Sequence, residues 1–325
     1  MRVEFKLMGD SRAWRRAIAV VFIIITLAAC SHQVEQKSTF DPFCSYAVNE
    51  LTDQISPYCI DNAEQNDPIA ATNLGYLYSK GMLVEHDPQR AMALYHVAAE
   101  QGFPQAEYNL AELYRSGVYG EERPDLARYW YQKSAGQLPV EQRKEAEFML
   151  GLLWLEGSGG EQDLAIAKQW LVESVVHGHA EAAYVLGNIY LDEENNVIEA
   201  IKWYQIATER NFGPAMHKMG LLYVDGSLGE NDPDKAKPWL LRAATLGLPE
   251  GQVDLATLLY NSAATRSDYV QCYVWLSAAD SQGFELANQR LKLLQTKLTA
   301  GELEQAQILS QACIESAFQR CEPQE

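Results

Sequence analysis

Apolar and small residues recur along this chain with a long period. A small residue is followed four positions later by an apolar one, then at once by another small residue, and the apolar member falls at Leu74, Leu110, Leu150, Leu186, Met219 and Leu255. A bulky partner follows each at Leu94, Trp130, Trp170, Trp203, Trp239 and Trp275, and both series step by 33 to 40 residues. Residues three and four apart share one face of a helix, so Ala70, Leu74, Gly75 and Tyr78 form a stripe. The same stripe returns as Ala106, Leu110, Ala111, Tyr114; Ala146, Leu150, Gly151, Trp154; Ala182, Leu186, Gly187, Tyr190; and Ala215, Met219, Gly220, Tyr223. A helical Gly costs about 1 kcal/mol against Ala, so its return in four units predicts that a neighbouring helix approaches closely there. Self-similarity at this period predicts an all-α array of stacked helical repeats.

The second helix of each unit is announced by its cap. Asp87, Asp163, Asn196, Asp232 and Asp268 each stand four residues before a small residue, and Pro88 and Pro233 follow two of them. A side-chain acceptor at the N-cap with Pro at the first helical position is the expected start of a helix. Arg123-Pro124 keeps the Pro without the cap. Gly102, Gly178, Gly247 and Gly283 are placed to end helices in the left-handed conformation.

These residues resemble the Sel-1-like repeat, a relative of the tetratricopeptide repeat. The likeness is cleanest in AATNLGYLYSKG (Ala70 to Gly81) and DPDKAKPWLLRAATLG (Asp232 to Gly247), and it covers roughly residues 67 to 290. Departures are local: about four extra residues between Trp130 and Ala146, three missing before Trp203, and no usual glycines from Thr257 to Asp268. The resemblance implies a right-handed superhelical solenoid of six helix-turn-helix repeats with N- and C-terminal capping helices. It also implies a protein-binding or scaffolding role, with no particular partner.

The expected organisation is a signal peptide over 1–29, a tether over 30–43, an N-terminal cap over 44–66, repeats over 67–287 and capping helices over 288–325. Arg12, Arg15 and Arg16 precede an apolar run from Ala17 to Ala29 that is too short to span a bilayer and has the layout of a secretory signal. Its end, Leu27-Ala28-Ala29-Cys30, resembles a bacterial lipobox, which makes Cys30 the expected lipidation site. The alternative is a short membrane anchor with an incidental cysteine. Ser31 after the cysteine resembles lipoproteins sent to the outer membrane, so the expected location is that membrane, facing the periplasm.

The chain carries a net charge of -18. The first 29 residues hold five basic and two acidic residues, so the remainder sets 21 basic against 42 acidic ones, a net charge near -21. Such a chain repels phosphate backbones and anionic lipid, which excludes nucleic acid as an expected partner. Five cysteines remain in what is then an oxidising compartment. Cys44 and Cys59 flank the N-terminal cap and are expected to pair. Cys313 and Cys321 are near neighbours, but on one continuous helix they would stand about 12 Å apart, past the roughly 7 Å reach of a disulfide. That pairing requires the helix to end near Ser316. Cys272 stands at the small-residue position of its helix and is expected to be a buried free thiol.

No catalytic constellation is evident: there is no G-x-S-x-G, no phosphate loop and no H-E-x-x-H. His177-Gly178-His179 falls at a helix end with neither a zinc spacing nor a facing carboxylate pair, so no metal and no cofactor are expected. By analogy with tetratricopeptide repeats, positions three before and one, four and five after the first-helix small residue face the concave groove. The minus-three row reads Thr72, Tyr108, Phe148, Tyr184, His217, Val253. A groove along Tyr108, Phe148 and Tyr184, with Tyr76, Glu112, Asn188 and His217 on its margins, would offer large contact area to a partner. Alternatively the rings pack between repeats as core. The expected function is a lipid-anchored scaffold that binds a protein or peptide of the cell envelope, with peptidoglycan recognition as the alternative and an enzyme disfavoured.

Overall fold

The computed structural model describes residues 57–117 and 120–321. The expected signal peptide, the lipidation site Cys30, the tether and Cys44 lie outside these residues. The chain divides into two compact units, residues 1–122 and 123–325, and the division falls between the two helices of the second repeat. Among the described residues the regular structure is entirely helical. The first unit contains α1 (Pro57–Glu64), α2 (Pro68–Lys80), α3 (Pro88–Glu100) and α4 (Pro104–Ser116). The second contains α5 (Pro124–Ala135), α6 (Val140–Glu156), α7 (Leu164–Val176), α8 (Ala180–Asn188) with a π turn Ile189–Glu193, α9 (Val197–Glu209), α10 (Gly213–Val224), α11 (Pro233–Thr245), α12 (Pro249–Asn261), α13 (Arg266–Ser281), α14 (Glu285–Gln295) and α15 (Ala300–Glu315).

The caps place these helices. Asp67, Asp87, Asp163, Asn196 and Asp232 each accept from a backbone N–H in the first turn that follows, at 2.7–3.1 Å. Asp268 is a correction. The cap there is Thr265, and Asp268 reaches back from the third helical position to accept its backbone N–H at 2.7 Å and its hydroxyl at 2.9 Å. The carboxylate thus serves the same orphan donors from inside the helix, which is the geometry of a capping box. Thr299 and Glu302 repeat the arrangement at the start of α15.

A second tie holds the two helices of a unit in register. The backbone N–H of the capping residue donates to the carbonyl of the first-helix aromatic in Asp87–Tyr78, Asp163–Trp154, Asn196–Tyr190 and Asp232–Tyr223, at 2.7–3.1 Å. In three of these the partners stand nine residues apart, and in the fourth only six. The missing residues are absorbed by the widened π turn that ends α8. The four extra residues before Ala146 become one more turn at the start of α6, which runs to 17 residues where seven of the other described helices have 13.

The recurring glycines are niches. A Cβ on Gly187 would lie 2.4 Å from the Tyr204 ring, one on Gly151 or Gly220 2.6 Å from Leu171 or Leu240, and one on Gly75 2.9 Å from Tyr95. In the four repeats that carry such a glycine, the side chain that enters the niche is therefore the residue immediately after the Leu94–Trp275 series: Tyr95, Leu171, Tyr204 and Leu240, all buried. Consecutive second helices are tied by long polar side chains: Gln101 donates to the Asn66 carbonyl, Arg210 to that of Val175 and Arg242 to that of Thr208.

At the carboxyl end α15 stops at Glu315, and Ala317 and Phe318 take left-handed backbone angles. The chain turns back, and Cys313 and Cys321 pair with their Cα atoms 4.3 Å apart. Phe318 packs against the final core cluster beside Gly247, and Gln319 donates to the Thr245 carbonyl at 3.0 Å. Cys272 is buried and free, and burial pushes its thiol up to about 12. Cys59 is buried in a disulfide whose other half lies outside the described residues.

Candidate functional site

Successive first helices touch one another within each unit, α2 with α4 and α10 with α12. Their side chains grade from core to surface across the stripes expected to line a groove. In the minus-three row Thr72, Phe148 and Val253 are buried while Tyr108, Tyr184 and His217 are half-buried. In the row one after the small residue, Tyr76, Glu112, Leu152, Asn188, Leu221 and Thr257 are all half-buried. Five after it, Lys80, Ser116, Glu156, Asp192, Asp225 and Asn261 are all exposed.

Phe148 is therefore a correction. It is 4 % exposed and stacks on His179 at 4.3 Å between ring centres, so its face is spent inside the protein. Tyr184 is engaged on two sides, 5.4 Å from Phe212 and 5.9 Å from the buried Tyr204. The physical reason is the arrival of the next unit: residues 179 and 212 open the following first helix and seat their rings against the preceding row. Asn188 accepts the Tyr204 hydroxyl at 2.7 Å, which fixes the ring that fills the Gly187 niche. His217 pairs with Asp254 of the next first helix at 2.7 Å. Glu112 is bound by Arg115 at 2.8 Å on its own helix.

The structure also brings together groups far apart in sequence. Glu147 on α6 meets His177 Nδ1 at 2.7 Å, and with Glu173 on α7 these three offer ligand atoms within 4.8 Å of one another. A carboxylate pair does face His177, contrary to the sequence reading, because α6 and α7 pack antiparallel. Burial holds the Glu147 carboxyl above the usual carboxylate range, and the His177 hydrogen bond opposes that shift. His179 caps α8 by accepting the Ala182 N–H at 3.1 Å. Arg128, buried on α5, lies 4.0 Å over the Trp154 ring and donates to the carbonyls of Leu153 and Glu161, which straps the loop of the following repeat to α5. Burial lowers the Arg128 pKa below its ordinary value. Among the described residues no helix is long and apolar enough to cross a membrane.

Comparison with known proteins agrees with this geometry. The Sel1 repeat family matches six times, over residues 68–103, 104–137, 144–174, 180–212, 213–248 and 249–284. The crystal structure of c5321, a protective antigen of uropathogenic Escherichia coli with an SLR fold, superposes with a TM-score of 0.66 at 28 % identity over 82 % of this chain and 59 % of that one. A Sel1 repeat protein from Oxalobacter formigenes gives 0.55 at 28 % identity over 66 % and 86 % of the two chains. Among curated proteins, chitin synthase regulatory factor 3 of Schizosaccharomyces pombe is 28 % identical over 129 residues, 37 % of this chain. An exopolysaccharide production negative regulator of Rhizobium meliloti is 31 % identical over 96 residues, 30 % of this chain. These matches take in only 14 % and 28 % of the two regulators' own lengths.

Proposed function

Because the chain belongs to the Sel1 repeat family, we propose that it is a lipid-anchored scaffold of the cell envelope that binds a polypeptide along the exposed edge of its first helices. Sel1 repeat proteins mediate protein–protein interaction, and the family is typically non-catalytic. The observation that carries the reading is the row one past the small residue. Leu152, Leu221 and Thr257 stand there half-buried on the first helices of three units, and the two leucines leave apolar surface that repeat packing does not consume. Rows of this kind, apolar at the centre and polar at the exposed edge five residues past the small position, suit an extended chain. Recognition of a glycan is the weaker reading, since two of the three rings that would stack on sugars are engaged in Phe148–His179 and Tyr184–Phe212.

The anchor rests on the order of Arg12, Arg15 and Arg16, the apolar run and Leu27-Ala28-Ala29-Cys30. A Cys313–Cys321 disulfide fits an oxidising compartment, and Ser31 favours delivery to the outer membrane. In this reading Cys44 is the partner of Cys59. Replacing Cys30→Ser should leave an unprocessed precursor without acyl label, and normal maturation of that variant would refute the anchor. For the scaffold, a photo-crosslinking residue at Leu152 or Leu221 should give discrete adducts in envelope fractions. The same residue at Ile198 or Val176, which are exposed on second helices, should give none. Adducts of equal yield from both sets, or from neither, would refute the binding face.

A further inference from the structure

The groove rows do not simply run out at the last repeat. Between α12, α13 and α14 lies a pocket of about 240 Å³ whose walls are mostly apolar, among them Leu276, Leu293, Leu294 and the thiol of Cys272. Two of its lining residues, Thr257 and Tyr260, occupy the positions one and four past the small residue of the sixth unit, so the pocket continues the first-helix rows. Its far wall belongs to the C-terminal capping segment, which contributes Arg290 and Lys297.

Both cations sit where the apolar pocket opens. In a chain of net charge -18, neither forms an ion pair with a carboxylate among the described residues. Arg290 Nη1 donates to the Thr257 hydroxyl, and Lys297 donates to the Tyr260 hydroxyl with its ammonium 4.8 Å from the ring centre. Both are thus held at the pocket by neutral hydroxyls, with no carboxylate in ion-pair contact among the described residues. An apolar cavity with positive charge at its edge fits an apolar group joined directly to an anion. The volume lies below the roughly 300–1,000 Å³ of sites for drug-sized ligands, which suits one side chain and not a long lipid tail. A planar carboxylate matches the fork of an arginine.

We propose that this pocket seats the C-terminal residue of a polypeptide partner, its apolar side chain against Leu276 and Leu294 and its free carboxylate on Arg290 and Lys297. The inference rests on the polypeptide-binding reading and adds to it a terminus and a direction. A chain lying along the first-helix rows would run with its carboxyl end toward α14, where the capping segment stops it.

The test is calorimetric titration of the full-length chain with acetyl-hexaalanyl-leucine. The free acid should saturate in the millimolar range or below, a binding free energy of about -4 kcal/mol or better. Its carboxamide, and the free acid titrated into Arg290→Gln or Lys297→Gln, should each bind at least about tenfold more weakly, since a charge-assisted contact is lost. Circular dichroism of both variants checks that the helices persist. Failure of the free acid to bind, equal binding of the carboxamide, or wild-type affinity in both variants would overturn the proposal. So would octanoate binding as tightly as the peptide, which would assign the pocket to free acids. Adducts at Leu152 and Leu221 that persist while the peptide results fail would remove this pocket and leave the scaffold reading standing. Loss of the adducts with peptide binding intact would do the reverse.

Discussion

Replacing Gly187→Ala sets two effects of similar size against each other. In an exposed helix the change gains about 1 kcal/mol, because Ala loses less backbone entropy. At Gly187 the new methyl carbon would stand 2.4 Å from Cε1 and 2.5 Å from Cδ1 of Tyr204. That ring has no room to yield, being fully buried with its hydroxyl bonded to Asn188 at 2.7 Å, one residue along the same helix. Overpacking of a filled core costs about 1–3 kcal/mol. A methyl against an immobile ring belongs near the top of that range, so the expected net loss is about 1–2 kcal/mol. Gly301→Ala is the control, since nothing lies within 4 Å of its Cβ position, and it should match or exceed the wild type. Urea unfolding followed by circular dichroism reads both variants against the parent. The order of loss should be Gly187, then Gly151 and Gly220 against leucine side chains, then Gly75, whose nearest contact is 2.9 Å. A Gly187→Ala protein as stable as Gly301→Ala would show that the niches are not closed, and the packing account would be wrong.

Opening the Cys313–Cys321 loop by replacing both with Ser should cost about 2.5 kcal/mol on loop entropy alone. Dithiothreitol should lower the melting temperature of the wild type by more than that of the variant, which keeps only the Cys59 disulfide, with new proteolytic cleavage near Phe318, which the closed loop packs beside Gly247. Cys272, pushed up to about 12 by burial, stays a neutral thiol in the fold while the unfolded chain ionises near 9. Its contribution to stability is complete below pH 9 and is lost as the pH rises toward 12, so Cys272→Ala should flatten the alkaline limb of a stability–pH profile. Arg128→Ala should destabilise by about 2–3 kcal/mol in thermal unfolding, because it strands the Leu153 carbonyl and removes the charge-assisted bonds to the loop. Arg128→Lys should recover only part of this, since an ammonium can replace the Nη2 donor to the two carbonyls but not the planar guanidinium that lies over the Trp154 ring.

Much of the fold was legible because helical repeats write it in short-range signals. The caps at Asp87, Asp163, Asn196 and Asp232 act within one turn, so local spacing suffices to place them, and the niche glycines declare themselves by their propensity cost. Asp268 misled for the same local reason: a carboxylate four residues before Cys272 reads as a cap, yet Thr265 three residues earlier takes that place and turns Asp268 into its partner. The break at Ser316 was readable as a condition, since two cysteines eight apart pair only if the helix ends between them.

The candidate site was less legible. The stripes that line a groove and the stripes that pack against the next unit adjoin on the same helix, and only the position of a neighbouring helix separates them. His179 arriving over Phe148, and Phe212 over Tyr184, made core of rings that spacing alone left free for either role. Glu147 and His177 met for the same reason, across two packed helices. Arg290 and Lys297 are ordinary surface cations in the sequence, and nothing local distinguishes them. They become the charged edge of a pocket because the capping segment folds over the sixth unit and holds them beside Thr257 and Tyr260, 33 and 37 residues away in the chain. Periodicity and capping are one-dimensional and were determined by the sequence itself. Which face is consumed by packing, and which charges are left without a partner, depends on surfaces brought together from distant residues, and only the tertiary structure decided that.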